Sequence, residues 1–192
     1  MIVKISNRQR ATLVGLSILV AYSMLTYSIT NNKPLGVITD IISGIAVIGI
    51  PLLMFPIFNT NGNKRMNYTY LISRFIEGML MIMGGIFILF PSLESYRNSI
   101  YQNIHIYFFI VGALLFYFLL YRTQVIPKYI SIWGILATII LFIVTIIKLF
   151  RVDLEVLDVL LLPMILNELY LAVWLMIKGF NYESSLDASI GK

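Results

Sequence analysis

Runs of about twenty consecutive apolar residues recur six times along this chain, and nothing else in the sequence restricts its fold as strongly. A helix needs about 20 such residues to cross a bilayer, and a backbone in lipid must satisfy its hydrogen bonds within its own segment. The runs lie at about 11–29, 36–58, 67–90, 104–121, 129–149 and 157–177. They predict an all-α, polytopic membrane protein of six transmembrane helices, built as a single membrane domain over 1–192. With 59% hydrophobic and only 12% charged residues, the chain lies outside the range of ordinary soluble domains. The breaks between runs carry turn-forming and charged residues at Asn31 to Pro34, Asn59 to Arg65, Pro91 to Ser99, Arg122 to Lys128 and Arg151 to Glu155. None is long enough to hold a soluble domain.

Orientation follows from the basic residues. Lys4, Arg8, Arg10, Lys64, Arg65, Arg122, Lys128, Lys178 and Lys192 fall on one side of the six runs, against Lys33, Arg97, Lys148 and Arg151 on the other. Because cytoplasmic loops carry the excess of Lys and Arg, nine against four puts both termini in the cytoplasm and the protein in the cell (inner) membrane. The same scatter argues against nucleic acid as the reason for the net charge of +5, since no basic stripe or tail exists. The first run lacks an Ala-x-Ala site and is long for a signal peptide, so it reads as a retained helix. Asp153, Glu155 and Asp158, with Asp40, Glu94 and His105, gather near the outer ends. Such a group can concentrate cations, or simply balance Lys148 and Arg151 as a solvated loop.

Charged residues inside the runs need a reason, because a charge at bilayer depth costs from roughly 3 to 10 kcal/mol or more. Arg74 and Glu77 lie in the third run and Glu168 in the sixth. At 1.5 Å per residue, Glu77 and Glu168 each lie roughly 15 Å from the cytoplasmic end of their helix, near mid-bilayer. Arg74 and Glu77 are three apart and share a face, continued by Tyr70 and Met81, with Gly84 and Gly85 leaving room for a close neighbour. That face should look into the bundle. In the sixth run Asn167, Tyr170, Trp174 and Lys178 follow spacings of three, four and four, and Pro163 one turn outward frees a carbonyl. Two carboxylates and one guanidinium in low dielectric leave two arrangements: Arg74 bridges both, or one glutamate carries a proton. The candidate ligand or proton site is therefore Arg74, Glu77, Asn167, Glu168, Tyr170 and Trp174. The plainer alternative is a polar pin fixing how the third and sixth helices pack, or snorkelling of Arg74 alone.

Other features carry less. Pro51 and Pro56 with Gly44 and Gly49 make the second helix bendable, for gating or for packing. Ala11 and Gly15 form a small-xxx-small spacing. Trp133, Tyr121, Tyr129 and Tyr182 fit an aromatic belt. Three helices plus three, each third helix with a central glutamate, suggests an inverted repeat, although the segments show no convincing self-similarity.

Several chemistries are excluded. The chain has no cysteine, so disulfides, thiol catalysis and iron–sulfur ligation are unavailable. Its single histidine, His105, rules out a histidine-rich metal site and bis-histidine haem ligation, and reads as an interfacial cap of the fourth helix. No Gly-x-Ser-x-Gly and no Gly-rich phosphate loop occur. No catalytic residue, metal or cofactor is expected.

A set of longer motifs remains: Arg8-Gln9-Arg10-Ala11 with Gly15, Arg74-Phe75-Ile76-Glu77, Pro127-Lys128-Tyr129-Ile130-Ser131-Ile132-Trp133-Gly134, and Asn167-Glu168-Leu169 followed by Trp174-Leu175-Met176-Ile177-Lys178-Gly179-Phe180. Together they resemble the domain-of-unknown-function 4386 family of prokaryotic multi-helix membrane proteins, over most of the chain. The resemblance implies that Arg74, Glu77, Pro127, Trp133, Gly134, Glu168, Trp174, Lys178 and Gly179 are signature positions, and it brings no assigned activity. Loops here are sparse compared with many relatives, so functions housed in longer loops are not expected.

The leading expectation is a cavity between the third and sixth helices, open to the cytoplasm, that binds or moves a small polar molecule, a lipid headgroup or a proton. A non-catalytic module that packs on a membrane partner, and a lipid-acting membrane enzyme using a glutamate as acid or base, are the alternatives. The bilayer is the certain partner, and a homodimer is compatible with the sequence.

Overall fold

A computed structural model of the chain describes residues 5–150 and 155–181. The first helix, α1 (Asn7–Ala21), starts from a capping box in which Ser6 accepts from the Gln9 amide and the Gln9 side chain accepts from that of Ser6. A 3₁₀ turn at Tyr22–Leu25 and the short α2 (Thr26–Thr30) prolong it, until Asn31 turns left-handed at φ 52°. Asn32 then caps α3 (Lys33–Phe58) by accepting from the Leu35 amide at 3.0 Å, with Pro34 in the first turn where no amide is needed. Next come α4 (Lys64–Ile88), α5 (Glu94–Ile100), a π turn at Tyr101–His105, α6 (Ile106–Thr123), α7 (Lys128–Leu149), α8 (Glu155–Val159) and α9 (Leu162–Ile177). Among the described residues, six helical stretches are long and apolar enough to cross a membrane: Asn7–Thr30, Lys33–Phe58, Lys64–Ile88, Glu94–Thr123, Lys128–Leu149 and Val156–Ile177.

Two boundaries differ from expectation in an informative way. The third span starts at Lys64, one turn before the expected 67. The fourth starts at Glu94, not 104, because the polar stretch read as a loop is helical, with Arg97 turned inward and most of its neighbours exposed. The second span runs through Pro51 and Pro56 as one continuous helix.

The spans form a closed ring in chain order: α1 packs on α3, α3 on α4, α4 on α6, α6 on α7, α7 on α9, and α9 returns to α1. The third and sixth spans therefore stand across the ring from each other, so no polar pin between adjacent helices joins them. Residues 7, 58, 64, 123, 128 and 177 lie at one end of the ring, here the terminal face. The outer surface is apolar on every span, with Leu16, Ile45, Ile72, Val111, Phe142 and Val173 exposed, whereas Asp40, Asn67, Arg74, Glu77, Arg97 and Asn167 are buried. Apolar outside and polar inside is the pattern of a chain solvated by lipid, and the protein is a multi-pass membrane protein.

Glycine sets the closest approaches. A methyl on Gly44 would stand 2.5 Å from the carbonyl oxygen of Gly78, and one on Gly15 would stand 2.6 Å from that of Ala172. The α3–α4 and α1–α9 crossings thus bring backbone against backbone, where dispersion replaces the hydrophobic drive that lipid cannot supply. The Ala11 and Gly15 spacing is used at the second crossing. Arg8 adds to it by donating to the carbonyls of Met176 and Ile177 at 2.8 and 3.0 Å, capping the end of α9 where Gly179 turns left-handed at φ 77°.

Candidate functional site

A cavity of about 870 Å³ occupies the ring's interior from mid-membrane to the face opposite the termini. Its lining comes from the middle and far parts of the spans: Ile18 to Leu25, Val47 and Ile50, Arg74 to Met81, Tyr101 to Phe116, Leu141 to Leu149, and Leu161 to Glu168. Exposed Gln102, Asn103, Lys148 and Leu149 form its rim. Toward the terminal face the interior is filled. The Tyr70 ring stacks on Phe116 at 5.5 Å, Phe58 meets both edge-on at 6.0 Å, and Tyr117 leans on Phe116, all with 3% exposure or less. The expected opening toward the cytoplasmic ends is therefore replaced by an aromatic floor, and the cavity opens the other way.

On one wall, Nη1 of Arg74 donates to both carboxylate oxygens of Glu77, at 3.0 and 2.9 Å, within one turn of α4. The two are buried, so the pair is neutral overall and its hydrogen bonds offset part of the desolvation. Gly112 makes the seat: a methyl there would come 2.9 Å from Nε of Arg74. The Phe109 ring faces the guanidinium carbon at 5.4 Å and the Tyr70 ring at 5.9 Å. His105 joins this wall, with Nε2 3.9 Å from Glu77 Oε1, and that nitrogen is buried with no partner. The expected interfacial cap is thus an interior residue, turned inward by the π turn that ends at it.

Across the cavity, Glu168 accepts from the Tyr22 hydroxyl at 2.6 Å. Arg74 does not bridge the two glutamates; its hydrogen bonds go to Glu77 alone. Glu168 consequently faces the cavity with a neutral phenol as its hydrogen-bond partner. Tyr22 escaped sequence reading, although an aromatic residue with a polar tip halfway along an apolar span is the signal that marks it.

The six expected site residues divide. Arg74, Glu77 and Glu168 line one cavity. Asn167, one residue from Glu168 and so turned about 100° around the helix, donates instead to the Ile130 carbonyl at 3.1 Å and ties α9 to α7. Tyr170 points outward, its hydroxyl 2.7 Å from that of Tyr129, and it joins Trp133 and Trp174 in a ladder of rings with centroids 6.1 and 6.3 Å away. Of the aromatic belt, Tyr121 and Tyr129 are exposed near the terminal face, and Tyr182 lies outside the described residues. Gly134 faces the Tyr117 ring, which would collide with any side chain there.

The acidic group expected to concentrate cations is dispersed into separate pairs. Asp40 is held by Arg97 through Nε at 2.8 Å and Nη2 at 3.1 Å, fully buried, with the guanidinium between the rings of Tyr27 and Tyr101 at 4.8 and 4.7 Å. Glu94 accepts from Lys33 at 2.7 Å and from Tyr27, and Asp158 accepts from Lys148 at 2.6 Å. Asp153 lies outside the described residues, as does the Glu155 side chain. Among the described residues no group of three His, Cys, Asp or Glu could hold a metal ion.

Against known proteins, the chain matches the model of the domain of unknown function (DUF4386) over residues 28–179. It belongs to the DUF4386 family. No curated protein and no solved structure matches it. The matched stretch contains Arg74, Glu77, His105 and Glu168 but begins after Tyr22.

Proposed function

We propose that this DUF4386 protein is a binding or transport protein whose ring encloses a chamber for a small molecule with a polar head. The observation that carries the reading is the juxtaposition in one cavity of about 870 Å³ of a neutralised Arg74–Glu77 pair and a separate carboxylate, Glu168. That volume lies in the range of pockets that enclose a small ligand, roughly 300 to 1,000 Å³, and such pockets combine mostly apolar walls with a few placed polar groups. Charge kept at mid-membrane against its cost is itself a reason to look for a ligand or ion path. By the distribution of basic residues the terminal face is cytoplasmic and the membrane is the inner one, so the chamber is entered from outside.

The absence of cysteine allows a clean test. Thr145→Cys, on the chamber wall, should react with a membrane-impermeant maleimide added from the face opposite the termini. Thr145→Trp should obstruct the chamber and weaken the thermal-shift response of the purified protein to a panel of small amphiphiles. A thiol that never reacts, together with identical responses in wild type and Thr145→Trp, would overturn the reading.

A further inference from the structure

Resting on the chamber reading, we infer that the ligand is a monovalent organic cation with a compact apolar body, its charge drawn to Glu168. The charges in the cavity decide its sign. Arg74 is neutralised by Glu77 within hydrogen-bond distance, and Lys148 at the rim is neutralised by Asp158 at 2.6 Å. Glu168 is the carboxylate left over, with only the Tyr22 hydroxyl on it. With Arg74 taken by Glu77, Glu168 is left the arrangement in which a glutamate carries a proton; a cation can take the place of that proton on the carboxylate, whereas an anion gains no partner there.

The walls point the same way. Tyr22, Tyr101, Tyr107, Phe109 and Phe116 line the cavity, and ring faces attract ammonium and related cations most strongly where water is excluded. The protein already uses that interaction on its own guanidinium groups, at Arg97 between Tyr27 and Tyr101 and at Arg74 under Phe109. His105 lines the same chamber, and its buried Nε2 has no hydrogen-bond partner. A bare metal ion fits poorly, since the described residues offer no cluster of three metal-binding groups. A rounded cation with an apolar skin uses the carboxylate, the rings and the apolar walls together.

The test uses the full chain in nanodiscs with radiolabelled tetraphenylphosphonium as probe. Labelled tetraphenylborate, of the same shape and opposite charge, is assayed in separate samples because the two ions pair in solution, and empty nanodiscs give the lipid background of each. The expected result is saturable binding of the cation above that background, binding of tetraphenylborate at least tenfold weaker, and a tenfold or greater loss of cation affinity in Glu168→Gln. Equal binding of the two ions, or undiminished binding in Glu168→Gln, would overturn the inference. Should Glu168→Gln fail to fold, the comparison of the two ions on wild type still decides. The chamber and the cation stand or fall separately. If a neutral amphiphile binds wild type more tightly than Thr145→Trp while tetraphenylphosphonium does not bind, the cation is wrong and the chamber survives. If Thr145→Trp alters no binding at all, both are wrong.

Discussion

Tyr22 donates its hydroxyl to Oε2 of Glu168 at 2.6 Å, a contact between residues 146 apart in sequence that ties the first span to the last across the seam where the ring closes. Tyr22→Phe keeps the ring and removes the donor, and should cost about 1 kcal/mol, the usual net worth of one hydrogen bond. Glu168→Gln should lower the cost of that change, because an amide accepts more weakly than a carboxylate. Thermal midpoints of the two single variants and the double variant form a cycle that reads the coupling. Strict additivity would mean that the pair does not interact in the membrane-bound protein.

The pair that holds the helices together is elsewhere. Arg97 and Asp40 join α5 to α3 with both side chains buried, and Arg97 also donates to the Met24 carbonyl at 3.3 Å. Breaking such a pair from one side leaves an uncompensated charge, so Asp40→Asn and Arg97→Gln should each cost about 3–5 kcal/mol. Replacing both with apolar residues of similar size, as in Asp40→Leu with Arg97→Met, should recover much of that loss. Denaturant or thermal unfolding in detergent measures it. Single variants as stable as wild type would show that the clamp is not structural.

The sequence made some of this legible and hid the rest for physical reasons. Arg74, Glu77 and Glu168 stand out because each interrupts an apolar run, where charge is costly and therefore conspicuous. Arg97 does not, since it lies in the break from Pro91 to Ser99 that reads as a loop, and His105, at the head of the fourth run, reads as an interfacial cap. Only closure of the ring reveals that these two side chains are interior while most of their neighbours stay exposed, with Arg97 on Asp40 and His105 beside Glu77. Helical spacing gave the direction of Asn167, Tyr170 and Trp174 relative to one another, but not what stands opposite them. That depends on α9 lying between α1 and α7, which turns Asn167 to α7 and Glu168 to the cavity. The aromatic floor was hidden for a similar reason: Phe58, Tyr70 and Phe116 come from three spans and read individually as ordinary apolar residues.

Glycines at crossings and glycines in open space should behave oppositely. Gly44 meets the Gly78 backbone, whereas a methyl on Gly49, one and a half turns along the same helix, would touch nothing within 4 Å. Gly44→Ala should push α3 and α4 apart and cost about 1–3 kcal/mol, the usual range for overpacking. Gly49→Ala should be neutral or raise stability by about 0.5–1 kcal/mol through the lower chain entropy of alanine. Similar thermal midpoints in the two variants would contradict the close crossing.

Gly112 offers the sharpest separation of packing from site chemistry, because the group it accommodates is the Arg74 guanidinium and not a neighbouring backbone. A methyl at this position would stand 2.9 Å from Nε and 3.0 Å from Cδ of Arg74. The side chain is long enough to shift by a few tenths of an ångström, so Gly112→Ala should fold with a modest loss, about 1 kcal/mol. The displacement would nonetheless strain the hydrogen bonds from Nη1 to Glu77 and alter the wall of the chamber. The expected outcome is a thermal midpoint near wild type with a several-fold change in the affinity of whatever the chamber binds. Gly112→Leu, which removes the seat altogether, should unfold the protein or expel Arg74 from its pairing. If Gly112→Ala instead leaves binding untouched while costing as much stability as Gly44→Ala, Arg74 is held for packing and the chamber chemistry rests on Glu168 alone.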